Sequence, residues 1–432
     1  MICKYCGYES SLRADYCGNC GAKLRQEKPK KWILPVAAVC LVLAVVLAGG
    51  LIFGKTVREK AEICQVLPMK EGVVAALYTD GTVRVAGHDA LSQGTAQWEQ
   101  VQKIYDHSQY SWESGSSHYE RNLLGLTQAG TVLSTGEDLS HWTDVKEIYV
   151  LWDGIAAVTH GGRVLLQGDW EDETFLNTMA GLTDVQMLAV RDETWGWVTK
   201  TGDVGFAFSS GYYYEIPEAA YWKNVTELRA SDHGMYVLMA DGTVGGQFDE
   251  TYSGLTGAAQ VVDFEDWLFG VSPEGNLLTN NGGNVHPNAG DLRVTNPQDP
   301  YDTGGWEIRQ FTQVKEIVPF GGLVLLNEDG TVQFLGEYPN WDFDSWYDIR
   351  KVCGTYDTDW NYRYLYGIRS DGSVIRNRYD NHELDQTVTD QYRGWKLQDI
   401  FCLNGGAVGL TVDGKLVGDG IYENLDFSVF DR

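Results

Sequence analysis

Two patterns of apolar and polar positions recur along the chain from about residue 62 onward. The first is a short apolar run, a polar turn centred on glycine, and a second apolar run. It occurs nine times, at Val73–Gly87, Leu123–Gly136, Ile155–Gly168, Trp195–Phe208, Met235–Phe248, Leu268–Asn280, Leu323–Gly336, Tyr364–Asn377 and Ala407–Gly420. Each reads as a β-hairpin, with Gly81, Gly130, Gly162, Gly202, Gly242, Gly275, Gly330, Gly372 and Gly414 supplying the positive φ of a tight turn. Asp80, Asp241, Asp329, Asp371 and Asp413 precede turn glycines and read as turn residues; the alternating acidic ligands of a calcium loop are missing around them.

The second pattern precedes most hairpins: a bulky residue, then a strand that begins three residues later. Examples are Trp98 before Val101, Trp142 before Val145, Leu182 before Val185, Trp222 before Val225, Phe311 before Val314 and Trp346 before Ile349. It is weaker at Leu255 and one residue short at Trp395. Each unit is therefore one strand, a gap and a two-stranded hairpin. Three strands cannot bury both faces alone, so units must stack, and blades around an axis achieve this while leaving only short edges. The expected fold of residues 62–432 is mainly β: a β-propeller of about 7–9 short three- to four-stranded blades. A right-handed solenoid of hairpins is the alternative. Nine units exceed the usual roughly four to eight blades, so either the ring is large or a degenerate unit, that of Gly275, is shared or displaced. Leu425–Phe430 is the candidate closing strand, beside Ile63–Leu67.

The first sixty residues are of another kind. Trp32–Gly54 contains no charged residue and is long enough to cross roughly 30 Å of hydrocarbon as a helix, whereas the apolar core of a secretory signal is shorter. The expected organisation is a module at 1–24, a basic linker at 25–31, a transmembrane helix at 32–54, a linker at 55–61 and the repeat body at 62–432. Lys23, Arg25, Lys28, Lys30 and Lys31 before the span outnumber Lys55, Arg58 and Lys60 after it, which favours a cytoplasmic N-terminus and an extracytoplasmic body at the cell membrane.

Cysteines support that topology. Cys3 and Cys6, then Cys17 and Cys20, form two C-x2-C pairs, each followed by glycine. Four thiolates complete the closed tetrahedral shell of a structural Zn²⁺, whose binding folds a segment too short to build its own core. Two disulfides are the competing reading in an oxidising compartment. Cys40 lies in the span; Cys64, Cys353 and Cys402 lie in apolar stretches, with a Cys64–Cys402 disulfide open if the two ends of the body meet. The first 24 residues resemble the zinc-ribbon modules at the N-termini of many bacterial membrane proteins. Over roughly residues 62–430, W-x-D-[VI]-x-x-I followed by G-L-x-x-D-G-x-V resembles the short bacterial form of the regulator of chromosome condensation repeat, and that resemblance implies a β-propeller.

Charge divides along the same boundary. Of the formal −27, residues 1–60 contribute ten basic and four acidic side chains, and the body carries −33. Such a body opposes nucleic-acid binding by general attraction, so the nuclear exchange activity known in the repeat family is not expected here. Insertions between first and second strands are the candidate ligand face: Tyr110 and Trp112 in one unit, and Tyr356, Trp360 and Tyr362 in another, occupy the same place in their units and should share a rim. Exposed Trp and Tyr suit contact with a protein or glycan, although the same rings could cover blade ends as minor cores. The eight histidines are scattered, and no hydrolase, metalloprotease or phosphate-loop motif occurs. The expectation is a membrane-anchored binding module rather than an enzyme, with a transmembrane sensor and a loop-built cell-wall hydrolase as alternatives.

Overall fold

The computed structural model describes residues 61–431 apart from 114–115, 152–153, 192, 210–221, 232–233, 248–254, 265–266, 281–291, 295–305, 309–310, 312 and 336–340. The expected zinc ribbon, with Cys3, Cys6, Cys17 and Cys20, and the expected span at 32–54 lie outside the described residues.

Every one of the nine hairpins pairs with the strand before it. Blade 1 is Ile63–Met69, Val73–Tyr78 and Val83–Ala86; blade 2 is Val101–Asp106, Leu123–Thr127 and Val132–Ser134; blade 3 is Val145–Val150, Gly154–Thr159 and Val164–Gly168. Blade 4 is Val185–Arg191, Thr194–Thr199 and Val204–Phe208; blade 5 is Val225–Ser231, Gly234–Met239 and Val244–Gln247; blade 6 is Gln260–Phe264, Trp267–Val271 and Leu277–Asn280. Blade 7 is Val314–Pro319, Leu323–Asn327 and Val332–Leu335, and blade 9 is Leu397–Leu403, Gly406–Thr411 and Leu416–Gly420. Blade 8 has a fourth strand: Ile349–Tyr356, Tyr362–Arg369, Val374–Asp380 and Asp385–Thr389. The unit of Gly275 is thus a complete blade, neither shared nor displaced.

Stacking follows from the two-residue period of a strand, which sends alternate side chains to opposite faces. In the middle strand of blade 1, Val73, Ala75 and Leu77 join Val101, Ile104 and Leu123 of blade 2, while Val74, Ala76 and Tyr78 join Val408, Leu410 and Leu416 of blade 9. Equivalent cores fill the seams between the other consecutive blades, for example Leu124 and Leu126 of blade 2 against Val145, Ile148 and Ile155 of blade 3. The last blade therefore packs on the first, and the solenoid alternative is excluded: the described residues form a closed propeller of nine blades. First strands are innermost, where blade meets blade through side chains such as Gln65, whose amide donates to Ile104 O at 2.8 Å and accepts from Ile104 N at 2.9 Å, and through the Lys103–Glu147 ion pair at 2.6 Å.

The turn glycines do more than turn. All nine have φ between 76° and 84°. At seven seams the glycine carbonyl also accepts an N–H at the start of the next inner strand or, in blade 6, two residues before it: Val101, Val145, Val185, Ala258, Val314, Ile349 and Leu397 donate to Gly81, Gly130, Gly162, Gly242, Gly275, Gly330 and Gly372 at 2.8–3.1 Å. Contact is so close that a Cβ on Gly330 would lie 2.9 Å from Asp348 Cα and Ile349 N. The residue at the joint is itself left-handed, as at Gln100, Asp144, Asp184, Asn224, Gln313 and Asp348. The turn aspartates behave as expected; Asp329 Oδ1 accepts from Thr331 N at 2.9 Å and Thr331 Oγ1 at 2.7 Å. These bonds also place the start of every joined inner strand beside a hairpin turn, at what is here the turn rim. The links between first and second strands lie at the opposite, loop rim.

Closure of the ring departs from the expectation. Leu425–Phe430 adds no strand beside Ile63–Leu67. Phe427–Phe430 is a 3-10 helix capped by Asp426, and it packs on the outer strand of blade 1. Side chain to backbone bonds secure it: Tyr78 Oη donates to Phe430 O and Tyr422 Oη to Met69 O, each at 2.7 Å, while Arg84 reaches Val429 O at 2.6 Å. The disulfide also differs. Cys402 pairs with Cys353, not with Cys64, so the crosslink joins the inner strands of neighbouring blades 8 and 9. Cys64 is free, its thiol directed at Leu77 O at 3.4 Å. Among the described residues no helix is long and apolar enough to cross a membrane, and no cluster of three or more metal-ligating side chains occurs.

Candidate functional site

Blade 8 rises above its neighbours because its inner and middle strands each run to eight residues, against six in the middle strand of blade 9. Its tip carries three of the residues singled out in the sequence. Tyr356 ends the inner strand on the blade 7 side, with its ring centroid 4.8 Å from Phe320 and 4.5 Å from Trp360. Trp360 has a left-handed backbone and is 58% exposed, its ring tilted against that of Tyr356 at the tip. Tyr362 belongs to the opposite face, toward blade 9, with Arg378 Cζ 5.0 Å from its ring centroid. The tip is therefore aromatic on both sides: Tyr356 is partly core, and Trp360 is presented to solvent.

Tyr110 and Trp112 lie on an extra two-stranded hairpin of blade 2, Gln109–Glu113 with Ser116–Glu120, where the register sets Tyr110 opposite Tyr119 and Trp112 opposite Ser117. Both insertions emerge on the loop rim, as their position in the unit requires. They do not meet. Blades 9 and 1 separate them, and both have short links on this rim: Asn404–Gly405 in blade 9 and Lys70–Gly72 in blade 1. Contacts make the four blades one continuous shelf. Thr355 and Tyr356 of blade 8 bond Leu403 and Gly405 of blade 9; Tyr422 Oη, just after blade 9, donates to Met69 O of blade 1 at 2.7 Å; and Glu71 of blade 1 pairs with Arg121 of blade 2.

A buried polar network stands below the tip, outside the aromatic insertions that the sequence singles out. Asp419 of blade 9, 5% exposed, accepts from Tyr366 Oη at 2.6 Å and Tyr392 Oη at 2.9 Å, with Arg376 and Arg393 at 3.2 and 3.0 Å. Burial alone would raise the Asp419 carboxyl; the two hydroxyls and then the two guanidinium groups hold it below its ordinary value. Tyr366 is pushed well above the usual phenol range, chiefly by burial and then by the adjacent carboxylate. The network lies in the blade 8–9 seam, with Arg393 reaching outward to Glu423 at 2.9 Å as well, so it ties the two blades together. Its signal in the sequence was the period-two run Tyr362, Tyr364, Tyr366 facing Arg376 and Arg378 across one strand pair.

The two rims differ in character. The turn rim carries the turn and joint aspartates, including Asp144, Asp184, Asp241, Asp329, Asp348 and Asp371. The loop rim of blade 8 carries Arg363 and Arg378 among its aromatic rings. No arrangement of nucleophile, base and oxyanion donors is apparent among the described residues of either rim.

No family model matches the chain, and no curated protein does. Among solved structures, it is similar to the computationally designed Ika8 protein at 12% identity, covering 84% of this chain and 97% of that one with a TM-score of 0.38. It is also similar to the CRINKLY WD40 ectodomain of the Arabidopsis thaliana receptor kinase ACR4 (11% identity, 83% and 99% covered, TM-score 0.33) and to Prp20p of Saccharomyces cerevisiae (10%, 69% and 69%, TM-score 0.29). Scores this low assign nothing; the class of the body, a propeller, rests on its inter-blade cores and closed ring.

Proposed function

We propose that the protein is a single-pass membrane protein whose extracytoplasmic propeller binds a partner protein on the loop rim of blades 8, 9, 1 and 2. The observation that carries this reading is the shelf itself, with the tall blade 8 and the extra hairpin of blade 2 flanking the short links of blades 9 and 1, and Trp360 offered to solvent. Trp, Tyr and Arg are the residues that most often dominate protein interfaces. The Cys353–Cys402 disulfide supports an oxidising location for the body. Glu62 O accepts from Thr79 N at 2.8 Å, so the chain enters the ring at the turn rim. An anchor at 32–54 and a linker at 55–61 then tie that acidic rim to the bilayer and leave the loop rim facing away. On the cytoplasmic side, Cys3, Cys6, Cys17 and Cys20 form a donor set suited to Zn²⁺, which would close a small structural ribbon there.

A photo-crosslinking amino acid at Trp360 in cells is expected to give discrete protein adducts, and the same group at the exposed Val412 of the turn rim is not. Protease added to spheroplasts is expected to cleave the body. Protection of the body, or equal adducts from both rims, overturns the proposal.

A further inference from the structure

Two of the nine seams lack the glycine joint. At the closing seam the turn of blade 9 stands clear, and a Cβ on Gly414 would meet nothing within 4 Å. The tail takes the place of the joint there, clasped to blade 1 through Tyr78, Arg84 and Tyr422. The other exception is the seam between blades 4 and 5. Its turn is built like the rest, with φ of 82° at Gly202 and 54° at Asn224. Yet Val225 N makes no bond to Gly202 O, and the atom nearest a Cβ on Gly202 lies at 3.2 Å, against 2.6–3.1 Å at the seven joined turns. The turn rim is bridged there by the Lys223–Asp203 ion pair at 3.1 Å, whose side chains are 61% and 59% exposed. The seam between blades 3 and 4 has its joint at 2.9 Å and two further bonds at 3.1 Å between inner strands, from Lys146 Nζ to Gln186 O and from Leu188 N to Tyr149 Oη. The core differs too. Met235 packs in seam 4–5 with Val198, Trp222 and Leu228, and Met187 and Met239 line its margin, so three of the six methionines of the chain meet at one seam. Unbranched thioether side chains refill a changing gap more readily than branched ones.

We infer that the ring is two arcs, blades 1–4 and blades 5–9, which part at the blade 4–5 seam while the tail holds the blade 9–1 seam as the hinge. Within each arc every seam is joined, three times in the first and four times in the second. A closed ring cannot part at one seam without bending at another, and the bend falls where no joint resists it. That place is seam 9–1, where the tail packs on the outer strand of blade 1 and straps the two blades from outside the ring. Parting any seam exposes an apolar core, and local openings are drawn from the least stable part of a fold. At seam 4–5 the cost is lower by one hydrogen bond, which is worth roughly twofold to tenfold in how often the seam opens.

Methionine oxidation reads the opening in the full-length protein in nanodiscs. Met235 in seam 4–5, Met179 in seam 3–4 and Met69 in seam 1–2 are 2%, 0% and 1% exposed, so peroxide reaches each sulfur only when its seam parts. Peptide mapping after dilute peroxide is expected to show Met235 oxidised roughly twofold to tenfold faster than the other two. Lys223→Glu sets two carboxylates face to face at the turn rim, and is expected to raise the Met235 rate about two- to fivefold with Met179 and Met69 unchanged. Met235 stands at the loop-rim end of Gly234–Met239, so a charge at the turn rim reaches it only if the whole seam parts. Lys223→Glu combined with Asp203→Lys restores the pair and is expected to bring the rate back toward wild type. The inference is overturned if Met235 is oxidised no faster than Met69 and Met179, or if Lys223→Glu leaves its rate unchanged. It is overturned equally if that variant speeds all three together, the signature of a ring that opens as one unit.

Discussion

Gly330 and Gly414 have nearly the same backbone, with φ of 79° and 80°, yet only one of them touches a neighbouring blade. A Cβ on Gly414 meets nothing within 4 Å, so Gly414→Ala costs only the left-handed conformation, about 1–2 kcal/mol for an L-residue. A Cβ on Gly330 meets Asp348 Cα and Ile349 N at 2.9 Å and Asp348 C at 3.0 Å, all backbone, so the joint must open. That breaks the Ile349 N to Gly330 O bond of 2.8 Å beside the buried Ile349 and leaves a buried donor unpaired, about 1–3 kcal/mol more. Gly330→Ala is therefore expected to cost about 2–5 kcal/mol and Gly414→Ala about 1–2 kcal/mol. Urea unfolding followed by tryptophan fluorescence reads the difference through the midpoint at constant slope. Equal midpoints for the two variants would refute the idea that turn glycines join blades.

Three further outcomes follow from the seams. Asp419→Asn leaves Arg376 and Arg393 without their buried carboxylate and should destabilise the body by about 3 kcal/mol at neutral pH in chemical denaturation. Because the folded state holds Asp419 below its ordinary value, its contribution is present above about pH 4 and lost as pH falls through the lower folded value; the variant should show a shallower acid limb, and an identical limb counts against the network. A chain ending at Gly420 loses Tyr422 and Phe430 from the blade 9–1 core and should expose apolar surface to a hydrophobic dye while melting earlier, whereas a wild-type melt would show that closure lies elsewhere. Cys353→Ser should leave Cys402 open to maleimide in the denatured, unreduced protein and lower stability by about 2–4 kcal/mol; labelling of Cys402 in wild type under the same conditions would contradict the assigned pair.

The hairpins were legible because a turn glycine between two apolar runs recurs nine times along the chain. The joint was half legible. Gln100, Asp144, Asp184, Asn224, Gln313 and Asp348 stand one place before the inner strand, and Asn and Asp are enriched among residues that tolerate left-handed geometry. Closure was not legible, because an apolar spacing such as Phe427 to Phe430 suits a strand edge or a helical turn equally, and what decides is where Tyr78 and Met69 offer partners some 350 residues away. Disulfide pairing was hidden for a related reason: spacing cannot choose among cysteines, and only stacking of blade 8 on blade 9 brings Cys353 to Cys402. At the candidate site, the sequence placed both aromatic insertions on one rim, while the two blades between them depend on ring order.

The glycine joint acts only between a unit and its successor. Nothing in it refers to the centre of the ring or to a total, so each added unit presents the same free turn to the next as its predecessor did. How many blades the ring holds is thus decided by where the chain stops adding units and folds its tail over the first blade. A duplicated or deleted unit would leave every remaining joint intact and shift the cost to the wall curvature and the tail. On this view nine is a number that this architecture can change in a single genetic step, with the closing tail as the element that must tolerate it.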